Sequence, residues 1–82
     1  MIDAKEAATA AKQYLTDLYG EVLAVQVEEI ELSDNNEEWL ITLSYINRET
    51  MLVPALGISR DYKVFSVHRA SGEVLSMKIR KV

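Results

Sequence analysis

The side chains best suited to nucleophilic or acid–base chemistry lie around the only histidine, His68. Ser66 and Ser71 lie close to it in sequence, and Asp61 precedes it, so a serine–histidine–aspartate arrangement is possible by composition. Neither serine follows the strained strand-to-helix turn that exposes a hydrolase nucleophile. We therefore interpret His68 as a surface residue of a strand, and the sequence predicts no catalytic residue.

Carboxylates are plentiful, but their spacing fits no metal loop. Seven acidic residues and no basic one lie between Glu21 and Glu38. A calcium loop needs a glycine and alternating ligands, which SDNNEE, residues 33–38, lacks, and a catalytic acid needs an apolar pocket. We interpret these carboxylates as a solvated sheet edge, where charge opposes pairing with other chains.

Charge is distributed unevenly along the chain, whose net charge is −4. From Arg60 to Val82 there are six basic residues against Asp61 and Glu73. We expect the acidic and basic segments to pair across a sheet. The alternative is a bipolar surface that orients a partner.

Several functional classes are excluded or disfavoured by composition. The chain has no cysteine, which excludes disulfides and thiolate chemistry, and one histidine disfavours a transition-metal site. The three glycines are isolated and form no phosphate loop, and aromatic and basic residues do not interleave as in single-strand nucleic-acid platforms. We predict no cofactor, no metal and no nucleic-acid partner.

The length of 82 residues predicts a single domain, 1–82. The N-terminus, MIDAKEAATAAKQ, has no apolar signal core, and the chain has no apolar run long enough to span a membrane. Together with the absence of cysteine, this predicts a cytoplasmic protein without a membrane contact.

Residues 3–19 are expected to form the only helix. Asp3 is a good N-cap, Glu6 can complete a capping box, and Gly20 suits a C-terminal position with positive φ. The apolar stripe has the helical period and is rich in alanine, which lets a helix lie close to a sheet. Tyr14 and Tyr19 are expected to contact that sheet.

Four segments have the alternation of strands: 22–32, 38–47, 61–69 and 73–81. The parity of the first changes at Glu28–Glu29, which predicts a β-bulge there. A similar change between Val64 and Phe65 predicts a second bulge. Ala70-Ser71-Gly72 is expected to turn the last hairpin, with Gly72 at positive φ.

This layout predicts an α+β fold in which an N-terminal helix packs on a four-stranded antiparallel β-meander. One apolar helix stripe and one apolar sheet face need each other, which gives two layers. The other face of the sheet is expected to be wet. Cystatin-like folds have the same helix-on-meander shape.

The segment ETMLVPALGIS, residues 49–59, departs from this pattern because it is apolar where a polar turn is expected. It can fold over the end of the core, extend the flanking strands into a long hairpin with Pro54 near its tip, or project and bind a partner. The partner-binding candidates are Met51, Leu52, Val53, Pro54, Leu56 and Ile58.

The hairpin YKVFSVHRASGEVLSMKI resembles the closing hairpin of PepSY-like domains over Tyr62 to Leu75. An aromatic-led strand ends in a small residue and glycine, followed by an acidic residue and "VL". The opening alanine-rich helix before the strands is also typical of that family. The resemblance implies a helix-on-sheet module that binds or restrains another protein, such as a peptidase.

Three functional hypotheses follow. The first is a non-catalytic protein-interaction or regulatory module that acts through the 49–59 loop and an exposed sheet edge. The second is a small-ligand binder or enzyme that uses a helix–sheet pocket, with His68 or a carboxylate as its polar group. The third is a homo-oligomeric structural domain with the loop as the subunit interface.

Overall fold

A computed structural model describes residues 1–20, 22–46 and 60–80. One helix, α1 (Ala4–Tyr19), precedes four strands: β1 (Leu23–Leu32), β2 (Glu38–Ile46), β3 (Asp61–His68) and β4 (Val74–Ile79). The strands form one antiparallel sheet in the order β1-β2-β3-β4. The predicted α+β fold, with the helix on a four-stranded meander, is confirmed.

The N-terminal end of α1 is fixed by the predicted capping box. The Glu6 backbone N–H donates to Asp3 Oδ1 at 2.8 Å, and the Asp3 N–H donates to Glu6 Oε1 at 3.4 Å. These bonds satisfy backbone donors that have no partner inside the helix. At the other end Gly20 takes φ 72°, which favours glycine.

The core lies between α1 and the two central strands. Ala7, Ala11 and Leu15 are fully buried on the helix. Their partners on the sheet are the buried side chains of β2 and β3, namely Ile41, Leu43, Tyr45, Phe65 and Val67. Alanine at two of the three helix positions allows the helix to lie close to the sheet.

Two tyrosines make the predicted contacts between helix and sheet. The ring of Tyr14 meets Phe65 edge-on at 6.2 Å, and the ring of Tyr19 stacks on Tyr45 at 6.2 Å. Burial is the main cause that raises the pKa of Tyr45 to about 12, and charge repulsion from Tyr19 and Asp61 adds to it. Tyr45 therefore keeps its proton well above neutral pH.

The pairing of β1 with β2 confirms one predicted bulge and adds an unpredicted one. The register shifts between Val27 and Glu29, as predicted, and again between Leu23 and Gln26. Ala24 lies in the second irregularity with φ 51°, a conformation that a non-glycine residue seldom adopts. From Glu29 to Leu32 the pairing is regular.

The predicted bulge in β3 is wrong, because β2 and β3 pair without interruption from Glu38↔His68 to Tyr45↔Asp61. The shift occurs on β4 instead, where the register passes from Ser66↔Ser76 to Val67↔Val74 and leaves Leu75 without a partner in β3. Gly72 in the connecting turn has φ 78°, as predicted.

The sheet has a helix face and an open face, and the register assigns each side chain to one of them. Phe65 and Met77 lie on the helix face, whereas Thr42, Ser44 and Ser66 lie on the open face. The open face was predicted to be wet, but these three hydroxyl residues are buried. Long charged side chains cover them.

Candidate functional site

The six apolar candidates Met51, Leu52, Val53, Pro54, Leu56 and Ile58 lie outside the described residues. The three alternatives for this segment therefore stay predictions. The residues that flank it are described: β2 ends at Ile46 and Arg60 precedes β3.

His68 and Ser71 lie closer together than the sequence indicated. Ser71 Oγ is 3.2 Å from His68 Nδ1, and the Ser71 backbone N–H donates to the same nitrogen at 3.3 Å. Ser71 Oγ also accepts the Glu73 N–H at 3.2 Å. These are short-range bonds of the β3–β4 turn, so they explain the contact without a catalytic role.

Asp61 does not complete a triad with this pair. It lies opposite Tyr45 at the start of β3, whereas His68 lies opposite Glu38 at the end of that strand. Seven steps along a strand separate them by about 23 Å. Ser66 shares the open face with His68, as expected, and its hydroxyl donates to the Glu38 carboxylate.

The carboxylates of the acidic segment have separate partners. Glu28 accepts a hydrogen bond from Ser44 Oγ at 2.5 Å, Glu38 accepts one from Ser66, and Glu29 pairs with Arg80. Within residues 1–20, 22–46 and 60–80, no group of three potential metal-ligating side chains comes together. These three carboxylates therefore form hydrogen bonds and an ion pair on the open face of the sheet.

Two arginines organise this open face. Arg60 Nε donates to Ser44 Oγ at 2.9 Å, and its terminal nitrogen donates to the carbonyl of Ser44 at 3.2 Å and to that of Ala24. These contacts join the start of β3 to β1 and β2. The carbonyl of Ala24, where the backbone has positive φ, thus accepts a hydrogen bond from Arg60.

Arg80, directly after β4, makes the second connection, to β1. Its guanidinium donates to Thr42 Oγ1 at 3.0 Å and forms an ion pair with Glu29. The expected pairing of acidic and basic segments across the sheet is confirmed at this pair. Both side chains are half exposed, at 41% and 51%, so the pair is worth at most about 1 kcal/mol.

Three of the surface cavities formed by described residues have no residue of α1 in their lining. One of about 340 Å³ lies at the end of β4. Its lining is Arg60, Asp61, Tyr62, Lys63, Ile79 and Arg80. Three cations against one anion make this corner positive, in a chain whose net charge is negative.

The outer edge of β4 has no strand beside it in the described part of the chain. Arg80 N–H donates to the Tyr62 carbonyl at 3.0 Å, so Arg80 and Lys78 direct their backbone groups towards β3. In an antiparallel ladder, the residues between these direct their backbone N–H and C=O groups away from the neighbouring strand. Met77 and Ile79 therefore present N–H and C=O groups at the edge.

Apolar side chains accompany this edge. Ile79 is 73% exposed and Leu75 is 49% exposed, although a small domain has few large apolar groups to spare. Met77 and Ile79 lie on the helix face, while Lys78 projects from the open face. An unpaired edge with exposed apolar side chains can accept another strand.

The opposite edge, on β1, is less open to pairing. Its two register shifts interrupt the ladder in the first half of the strand, and bulges of this kind discourage pairing with other chains. Glu28, Glu29 and Glu31 add negative charge. Only the segment Glu29–Leu32 is regular, with Ile30 41% exposed on the helix face.

No sequence pattern identifies the β4 edge as a site, because the exposure of Ile79 depends on how far across the sheet the helix extends. The alternation of 73–81 nevertheless identified Met77 and Ile79 as one apolar row. Their position on an edge follows once the meander is accepted, since the last strand of a meander has only one neighbour.

Comparison of the chain with protein-family models, curated proteins and solved structures returned no significant match. None of the helices in the described ranges has the length and apolar character that crossing a membrane requires.

Proposed function

We propose that this protein is a non-catalytic protein-interaction module that binds an extended segment of a partner protein along the outer edge of β4. The binding mode is strand addition, in which main-chain hydrogen bonds supply affinity and alternate side chains supply specificity. The resemblance to PepSY-like domains supports a regulatory role, such as restraint of a peptidase. The observation that carries the proposal is the exposed edge at Ile79.

The edge offers two kinds of stabilisation to an incoming strand. Covering an isoleucine side chain contributes about 1.5–3 kcal/mol, and each main-chain hydrogen bond about 0.5–1.5 kcal/mol net. Association itself costs at least about 4 kcal/mol. A short strand alone would therefore bind weakly, and a tighter partner needs a second contact.

Residues 49–59 stay a predicted second contact. The chain leaves β2 at Ile46 and re-enters the sheet at Asp61, and the preceding residue, Arg60, lines the same cavity as Ile79. One partner can therefore reach the β4 edge and approach the points from which this segment departs. Leu52 and Leu56 are the residues whose substitution tests that contact.

A short capped peptide of alternating valine and threonine is a suitable probe, because it is neutral and favours the extended conformation. Titration into the ¹⁵N-labelled protein is expected to shift the amide signals of Met77 and Ile79 first. The variant Ile79→Lys should weaken binding at least about tenfold, because it removes apolar cover.

Val27→Lys is the matched control, since Val27 is also a partly exposed apolar residue of an edge strand on the helix face. It should leave the affinity for the peptide unchanged. Saturating peptide that shifts only β1 signals, or none, would refute the proposed binding edge.

A further inference from the structure

We infer that the strand which best fits the β4 edge is β1 of a second copy of this chain, so that copies associate edge to edge and continue one sheet. The inference rests on the proposed function, because it needs β4 to accept a strand. The side chains and backbone directions of the two edges identify the occupant.

The backbone groups of the two edges are matched. On β4, Met77 and Ile79 direct their N–H and C=O groups outward. On β1, the Ser33 N–H donates to the Glu38 carbonyl at 2.9 Å, so Glu31 also faces β2. Ile30 and Leu32 therefore present their backbone groups outward.

The directions of the strands also agree. Successive strands of the meander run in opposite directions, so β1 and β4 of one molecule are antiparallel. A second copy in the same orientation places its β1 antiparallel to β4 of the first. Both helices then lie on the same face of the continued sheet.

Several registers, shifted by two residues, meet the two conditions below, and one of them pairs all four residues of the regular stretch Glu29–Leu32 with described residues that follow Leu75. Outward-facing residues must lie opposite outward-facing residues, and each pair must project from the same face of the sheet. The resulting pairs, with the β4 residue first, are Met77 with Leu32, Lys78 with Glu31, Ile79 with Ile30, and Arg80 with Glu29. Apolar pairs thus fall on the helix face and opposite charges on the open face.

Contacts between two identical edges are disfavoured by charge. Two β4 edges would bring Lys78 and Arg80 of both copies together, and two β1 edges would bring their glutamates together. The β1–β4 contact is heterologous, so a pair of copies keeps one free β1 edge and one free β4 edge, and assembly is open-ended.

The contact is short, which predicts weak and salt-sensitive association. The regular stretch of β1 begins at Glu29, after the register shift, and that of β4 begins after Leu75. Arg80 and Glu29 already pair within one copy, so their pairing between copies replaces an existing contact. Lys78 and Glu31 form no ion pair with another described residue, and they are the better test.

Sedimentation velocity over a range of concentrations, at low and high salt, tests the inference with two charge-reversal variants. Lys78→Glu and Glu31→Lys each place like charges opposite one another, and each should raise the self-dissociation constant about tenfold at low salt. In an equimolar mixture of the two variants, every contact between unlike copies has opposite charges, so the mixture should associate nearly as strongly as the wild type.

A wild-type protein that stays monomeric at the highest soluble concentration and low salt would overturn the inference. So would self-association that the two variants leave unchanged, or a mixture that stays as weak as its components. Binding of the valine–threonine peptide at Met77 and Ile79, with no self-association, would reject the second copy as the occupant and leave the proposed function standing.

Discussion

Arg80, which directly follows β4, forms an ion pair with Glu29 on β1, across the two central strands of the open face. The Arg80 guanidinium also donates to Oγ1 of Thr42, on β2, at 3.0 Å. One side chain thus connects both edges of the sheet and covers a buried hydroxyl. The outer backbone of each edge remains free for other contacts in the described part of the chain.

Replacing Arg80 by methionine should lower the free energy of unfolding by about 1 kcal/mol, because the exposed ion pair and one hydrogen bond to Thr42 are lost. Urea unfolding measures the change. Lys78→Met is the control, and it should change stability by less than about 0.5 kcal/mol, since it alters an exposed side chain.

A double-mutant cycle between Arg80→Met and Glu29→Gln separates the ion pair from the hydrogen bond. A coupling energy of about 0.2–1 kcal/mol that falls with added salt is expected. A coupling of zero at low salt would show that the pair contributes nothing to the fold.

Asp3, the N-cap of α1, and Asp17, near its C-terminal end, should respond differently to replacement by alanine. Asp3→Ala removes the N-cap and should cost about 1 kcal/mol of stability. Asp17 lies in the last turns, where a negative charge opposes the helix dipole, and its only described partner is Gln13. Asp17→Ala should be neutral or slightly stabilising in thermal unfolding, and an equal loss at both sites would contradict the capping argument.

Tyr45 should make the protein less stable in alkali. Its pKa is raised to about 12 in the folded state, against about 10 when unfolded. Between pH 10 and 12 the unfolded chain therefore binds fewer protons, so stability falls as pH rises and is unaffected below pH 10.

The variant Tyr45→Phe should lack this alkaline loss, so its stability relative to wild type should improve by about 2 kcal/mol between pH 10 and 12. Urea unfolding at several pH values measures the difference, in which the titration of the other groups cancels. Parallel curves for the two proteins would contradict the assigned cause.

Local features of the fold were predictable because their causes are local. The capping box of Asp3 and Glu6, the positive φ of Gly72 and the bulge after Val27 each follow from a few neighbouring residues. The two-layer fold followed from the spacing of apolar residues along the helix and strands.

Features that depend on contacts between distant strands were not predictable. The change of parity after Val64 predicts a bulge, but Val64 lies on the open face in an unbroken register. That face is partly covered by long side chains such as Arg60 and Arg80, so apolar residues occur on both faces of β3. The exposure of the apolar side chains at the β4 edge depends on the lateral position of the helix on the sheet, which no sequence pattern predicts.

Amide hydrogen exchange at Met77 and Ile79 tests the central claim most directly, because those backbone groups define the free edge. In the free protein at low concentration and high salt, both amides should exchange quickly, while those of Lys78 and Arg80, which face β3, should be protected. Saturating valine–threonine peptide should slow exchange at Met77 and Ile79. Slow exchange of these two amides without peptide, or no change on adding it, would contradict the account.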